Sequence, residues 1–223
     1  MTLKNRVLRL TRGLASVAPL AFALVLGSCT IVRHDQAGAS APTSANSGEF
    51  DSVGYVEKNW STKIVPELTA NAADLGTVLA ALKADPDAAR TKYGRRQEES
   101  APYNFIVKGS IAVKAANLDS AAATLELATP APTADGTVLV QIGPVIKSSA
   151  VRDVLSFIRF GDFTNQVDFA NLSRALNAHV KDGVVNTLDR EHLTGKTLKF
   201  TGAFAEDGSG KVLITPVLIE VGK

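Results

Sequence analysis

Asn104-Phe105-Ile106-Val107-Lys108-Gly109-Ser110-Ile111-Ala112-Val113-Lys114 is the stretch on which the fold turns. Phe105, Val107, Ile111 and Val113 alternate with Asn104, Lys108, Ser110 and Lys114. A period of two is the mark of a half-buried strand. The same alternation returns downstream. Leu125 and Leu127 alternate with Thr124 and Glu126, and Val138, Val140 and Ile142 with Thr137 and Gln141. Leu198, Phe200 and Phe204 alternate with Lys199 and Thr201. Val212-Leu213-Ile214 and Val217-Leu218-Ile219 flank Pro216, which predicts an edge position or a bulge. Asn117-Leu118-Asp119 and Glu206-Asp207-Gly208-Ser209-Gly210 supply turns.

These runs predict five strands, three before and two after a long insertion from about Gly143 to Gly195. Within the insertion Phe169, Leu172, Leu176 and Val180 recur at helical spacing, with Asp168 as the expected N-cap and Gly183 as the C-terminal signal. Three strands, a helix and a hairpin is the chain order of an OB-type barrel. The predicted class is α+β, with residues 102–223 forming a five-stranded OB-like barrel that carries a helical insertion between strands 3 and 4. A sheet with helices on one face is the alternative.

Upstream, residues 49–101 read as an N-terminal helical section. Val53, Val56, Trp60 and Ile64 make one apolar stripe, and Pro66 is expected to stop or redirect that helix. Leu75, Val78, Leu79 and Leu82 make a second stripe. Asp85-Pro86 reads as a cap and a first-turn proline, with Gly94 closing a third helix. Arg95 to Glu99 reads as a solvated connector. Before it, residues 29–48 are rich in small and polar side chains and are expected to form a flexible tether.

Residues 1–28 have the form of a lipoprotein signal. Lys4, Arg6, Arg9 and Arg12 precede an apolar run of 13 residues, Leu14 to Leu26, interrupted by Pro19. That run is shorter than the ~20 residues of a membrane span and within the ~7–15 of a signal core. Leu26-Gly27-Ser28-Cys29 then places the only cysteine after small residues, which predicts cleavage before Cys29 and lipid attachment to its thiol. The membrane is thus an expected partner, through the lipid. Thr30, which is not aspartate, leans toward the outer membrane over the inner. Removing the four basic residues of the leader leaves 20 basic against 22 acidic residues, a formal balance of −2. With Cys29 acylated no thiol is left for a disulfide.

Little in the chain carries catalytic chemistry. His34, His179 and His192 lack the spacing of a metal site. Ser148, Ser149 and Ser156 have no local base, and no phosphate-cradling loop occurs. The mature charge and the core placement of Phe200 and Phe204 argue against nucleic acid as a partner. No metal or other cofactor is expected. The polar residues Gln141, Arg152, Asp153, Asn165 and Gln166 fall where the insertion interrupts the barrel. They are candidates to line a cleft beside the barrel mouth that binds a ligand or partner. The alternative is that they cap helices and satisfy buried backbone. Arg152 and Asp153 are neighbours, which on a helix would let at most one of them point into any given site.

Several segments together resemble a known family. They are Gln141 to Ile146, Ala150 to Asp153, Asp162 to Ala170, Gly195 to Phe204 and Ile214 to Val217, with Tyr55-Val56 and Trp60 in the first helix. They are similar to the predicted periplasmic lipoproteins called domain of unknown function 2291. The resemblance implies no established activity and no catalytic residue. Members are often encoded beside sugar-type ABC transporter components. That implies a non-enzymatic, transport-associated role, with a permease or sugar-binding protein as partner. An envelope assembly protein that binds through a strand edge is the alternative, and an uncharacterised hydrolase a third reading.

Overall fold

The computed structural model describes residues 50–128 and 137–222. The leader, Cys29 and the tether read from residues 1–48 lie outside the described residues.

The alternating segments become five strands: β1 (Asn104–Asn117), β2 (Thr124–Leu127), β3 (Val138–Gln141), β4 (Thr197–Ala205) and β5 (Val212–Val221). Their hydrogen-bonded order is β1-β2-β3-β5-β4, and β4 returns to β1 to close a barrel. Only β3 and β5 run parallel; the other barrel pairs are antiparallel. This is the OB arrangement. β1 serves two neighbours. Asn104 to Ala112 pair with β4, and from Val113 onward the strand pairs with β2, across a register shift at Val113/Ala115. A bulge of this kind bends a strand, which is how a long strand turns a barrel corner.

Pro216 sits at a second irregularity. Thr201 pairs with Leu218 and Gly202 with Pro216, so Val217 is skipped. The proline is therefore at a bulge, as its missing N–H requires. Gly202 faces it at close range, where an added Cβ would stand 2.5 Å from the Thr215 carbonyl oxygen. Phe105, Leu125, Val140, Leu198 and Ile214 are fully buried inside the barrel, and Phe105 stacks on Phe204 with ring centroids 5.0 Å apart.

The helical section contains α1 (Ser52–Asn59), α2 (Val65–Asn71), α3 (Leu75–Ala84) and α4 (Pro86–Tyr93). Pro66 does not stop the first helix. A π-turn over Trp60–Ile64 joins α1 to α2, with the Val65 N–H bonded to the Trp60 carbonyl, and Pro66 enters the first turn of α2. The wide turn lets the helix continue where an α-turn would lack a donor. Val56 and Ile64 are buried as expected, Trp60 is half-buried, and Val53 is exposed. Three residues of helix place Val53 about 60° around the axis from Val56, off the packed face. Asp85 caps α4 by accepting from the Ala88 N–H at 3.1 Å.

Two short pairings tie this section to the barrel. Ala73–Asp74 runs parallel to Val107–Lys108, and Gly94–Arg95 runs antiparallel to Asn104–Phe105. Both use the edge of β1 that β4 leaves free. Arg90 of α4 adds a two-pronged ion pair to Glu206, with Nε and Nη2 donating at 2.9 and 2.7 Å.

The insertion holds a one-turn helix, α5 (Ala150–Asp153), and the long α6 (Gln166–Gly183). Leu172, Leu176 and Val180 of α6 are fully buried, in the same core as Val56, Ile64 and Leu68 of the helical section. Trp60 lies against His179 of α6, ring centroids 4.2 Å apart. The N-cap of α6 is Asn165, not Asp168. Asn165 Oδ1 accepts from the Asp168 N–H at 2.9 Å, and its Nδ2 donates back to Asp168 Oδ2 at 2.9 Å. Asn165 thus caps one free N–H of the helix, and the side chain of Asp168 holds the capping amide in place.

Candidate functional site: a polar cleft beside the barrel

The chain between α4 and β1 crosses over the insertion and leaves a cleft of about 390 Å³. Its walls come from the crossing strap (Gln97, Glu98), the start of β1 (Asn104), and α5 and α6 (Ser149, Arg152, Phe169). Arg152, Asp153 and Gln166 of the expected residues line it.

Arg152 and Asp153 both face the cleft and bind each other, against the expectation that neighbours on a helix diverge. Arg152 Nε donates to Asp153 Oδ1 at 2.8 Å and Nη2 lies 2.6 Å from the same oxygen. α5 is a single turn, so the long arginine side chain folds back past its end. Asp153 Oδ2 accepts from the Ser149 hydroxyl at 2.6 Å. Arg152 Nη1 donates to the Phe169 carbonyl at 3.1 Å, and its guanidinium lies over the Phe169 ring, 3.6 Å from the centroid. Phe160 meets that ring edge-on at 5.2 Å. The pair is nearly buried, with side-chain exposures of 12% and 10%, and each charge is met by the other.

Gln141 and Asn165 stand elsewhere. Gln141 is buried in the barrel wall, where Nε2 donates to Thr215 Oγ1 at 2.8 Å and Oε1 accepts from the Lys147 N–H at 2.7 Å. It binds β3 to β5 and to the start of the insertion. Asn165 is spent on capping α6. For these two the reading as structural polar groups is the one the contacts support.

Sequence reasoning missed Gln97, Ser149 and Asn104. Gln97 belongs to the run read as a solvated connector, yet its Nε2 donates to the carbonyls of Asp153 and Ile158 at 3.3 and 3.0 Å. Arg95 likewise reaches the Ser156 carbonyl at 3.1 Å. Ser149 has no local signal. Asn104 is out of phase with Phe105 and should face solvent, but the insertion covers that end of the barrel and Asn104 is 2% exposed. Its Nδ2 donates to the Pro102 carbonyl at 3.0 Å, and its buried Oδ1 has no partner.

The arrangement presents polar and aromatic groups suited to recognition. Asp153 already accepts two hydrogen bonds and a second arginine nitrogen at ion-pair distance, Ser149 is engaged as a donor to it, and no histidine is among the described residues that line the cleft. That is not the nucleophile, base and orienting group of hydrolytic sites. Among the described residues no group of three or more His, Cys, Asp or Glu side chains is placed to hold a metal ion.

A family model described as predicted periplasmic lipoprotein, domain of unknown function 2291 (DUF2291), matches residues 19–220. The chain belongs to the DUF2291 family. The chain is similar to the crystal structure of an OB-fold protein from Thermotoga maritima. The likeness covers 77% of this DUF2291 chain and 98% of the other, with a TM-score of 0.61 and 18% sequence identity. At that identity the likeness shows the fold alone. No curated protein matches this DUF2291 chain in sequence.

Proposed function

We propose that this periplasmic lipoprotein is a non-catalytic binding module, anchored through a lipid on Cys29, that serves sugar-type ABC transport. The observation that carries the binding role is the cleft. Its polar groups converge, its one buried ion pair is internally neutralised, and its back wall is aromatic. Pockets that hold small molecules or peptide segments are built this way. The link to transport rests on the gene neighbourhood implied by the family resemblance, and the partner is a permease or sugar-binding protein. The strand-edge alternative draws no support from the start of the first barrel strand, where Ala73–Asp74 and Gly94–Arg95 already pair with Asn104 to Lys108.

Deletion of the gene, with growth and uptake measured across carbon sources, tests the transport role. A defect confined to one class of sugar is expected; normal uptake on every substrate would remove the reading. The anchor is tested separately. Cys29→Ser should move the protein from the membrane fraction to the soluble periplasm with its melting temperature unchanged. Retention in the membrane fraction would count against lipidation at that residue.

A further inference from the structure

We infer that the cleft takes a neutral, polyhydroxylated molecule of monosaccharide or cyclic-polyol size, held between Asn104 and Arg152. This rests on reading the cleft as the working site of a binding module.

Charge comes first. The Arg152 guanidinium and the Asp153 carboxylate cancel, and the remaining charged wall residue is Glu98, exposed at the rim. An anionic ligand would find the guanidinium already paired and an acid at the entrance. A cationic one would meet Arg152 next to a carboxylate with three donors in place. Neither charge has an uncompensated partner, so a neutral ligand is favoured.

The polar inventory then narrows the class. Asn104 cannot usefully turn its amide over, because that would set its oxygen against the Pro102 carbonyl that its nitrogen now binds. Its buried Oδ1 therefore asks for a donor. Arg152 uses Nε and Nη2 on Asp153 and Nη1 on Phe169, so a guanidinium with five N–H groups has two to spare. The site thus offers an acceptor and donors together. A hydroxyl both donates and accepts, so one hydroxyl, or a vicinal pair, satisfies both. Gln166, exposed at the rim, offers the same pair of functions from its amide. Phe160, exposed beside the buried Phe169 that it meets at 5.2 Å, gives an apolar wall for ring C–H groups. The volume of about 390 Å³ lies in the range for small-molecule sites.

The test is calorimetric titration of the detergent-solubilised full chain. The neutral probes are ribose, xylose, glucose and myo-inositol; the charged ones are glucose 6-phosphate, gluconate and glucosamine. At least one neutral probe should bind, roughly tenfold or more tighter than its charged analogue. Asn104→Leu removes an unpartnered buried oxygen and, against it, the bond to the Pro102 carbonyl, so it should leave the melting temperature nearly unchanged while weakening binding by roughly tenfold. A merely structural asparagine would not separate stability from binding in this way. If Asn104→Leu fails to fold, Gln166→Ala, a surface change, should weaken binding several-fold. A preference for a charged probe, or neutral binding indifferent to the variants, would overturn the assignment while leaving a binding module in place. Silence to every probe, with a permease or sugar-binding protein captured by the wild type and lost on Gln166→Ala, would overturn the ligand class and keep the module. Silence to both would overturn the two readings together.

Discussion

Gln141 holds three pieces of chain at once, and its removal should be costly. Gln141→Ala strands the hydroxyl of Thr215, which is fully buried, and the N–H of Lys147. A loss of about 2 kcal/mol is expected in urea unfolding. Arg152→Ala should cost about 3 kcal/mol, since it leaves Asp153 buried with Ser149 as its remaining side-chain donor. The double change Arg152→Met, Asp153→Leu should recover most of that loss, because an apolar pair has no charge to orphan. Asp207 carries a pH prediction. The Ser209 hydroxyl and N–H, at 2.7 and 2.9 Å, hold its carboxyl below the usual carboxylate range. A lowered folded value means the turn is fully formed above the unfolded value and loosens as pH falls through the folded one. The Ser209 amide signal should titrate below the ordinary Asp value of about 3.9, and Asp207 should titrate higher in Ser209→Ala.

Elements were legible where one periodicity governed them. The strand alternation around Phe105 and Val107, and the α6 stripe of Leu172, Leu176 and Val180, all point to residues that are buried. Pro216 called for an edge position or a bulge from its chemistry alone, and it stands at a bulge. Elements were not legible where two solutions satisfy the same residues. Pro66 can end a helix or follow a π-turn, and local sequence does not choose. Asn165 and Asp168 are both good caps three residues apart, and each ends up bonded to the other. The cleft was half legible for a related reason. Arg152 and Asp153 drew notice as polar residues where the insertion interrupts the barrel, but Gln97 reaches Asp153 across 56 residues, and no local pattern encodes such a contact. At this scale the sharpest test is Gly202→Ala. Its methyl would press on the Thr215 carbonyl and on Pro216 Cα, 2.5 and 3.1 Å away. The strand must shift, and a loss of about 2 kcal/mol is expected by denaturant titration.

As a whole, the described part of the molecule behaves as one body. Ile64, Leu68, Leu75 and Val78 of the helical section share a continuous core with Phe105, Leu172 and Ile214. Deleting residues 50–93 should therefore not release an independent barrel. The shortened chain is expected to lose its cooperative thermal transition, while the full chain unfolds in a single step by circular dichroism. A sharp transition in the deletion variant would show that the barrel stands alone. The two short pairings along β1 carry a further consequence. Bare peptide groups on a strand recruit like segments from other molecules, which is how ordered aggregates start. Asn104, Phe105, Val107 and Lys108 are spoken for within the same chain. Crowding many copies into a narrow compartment thus offers polymerisation no template along that part of the strand.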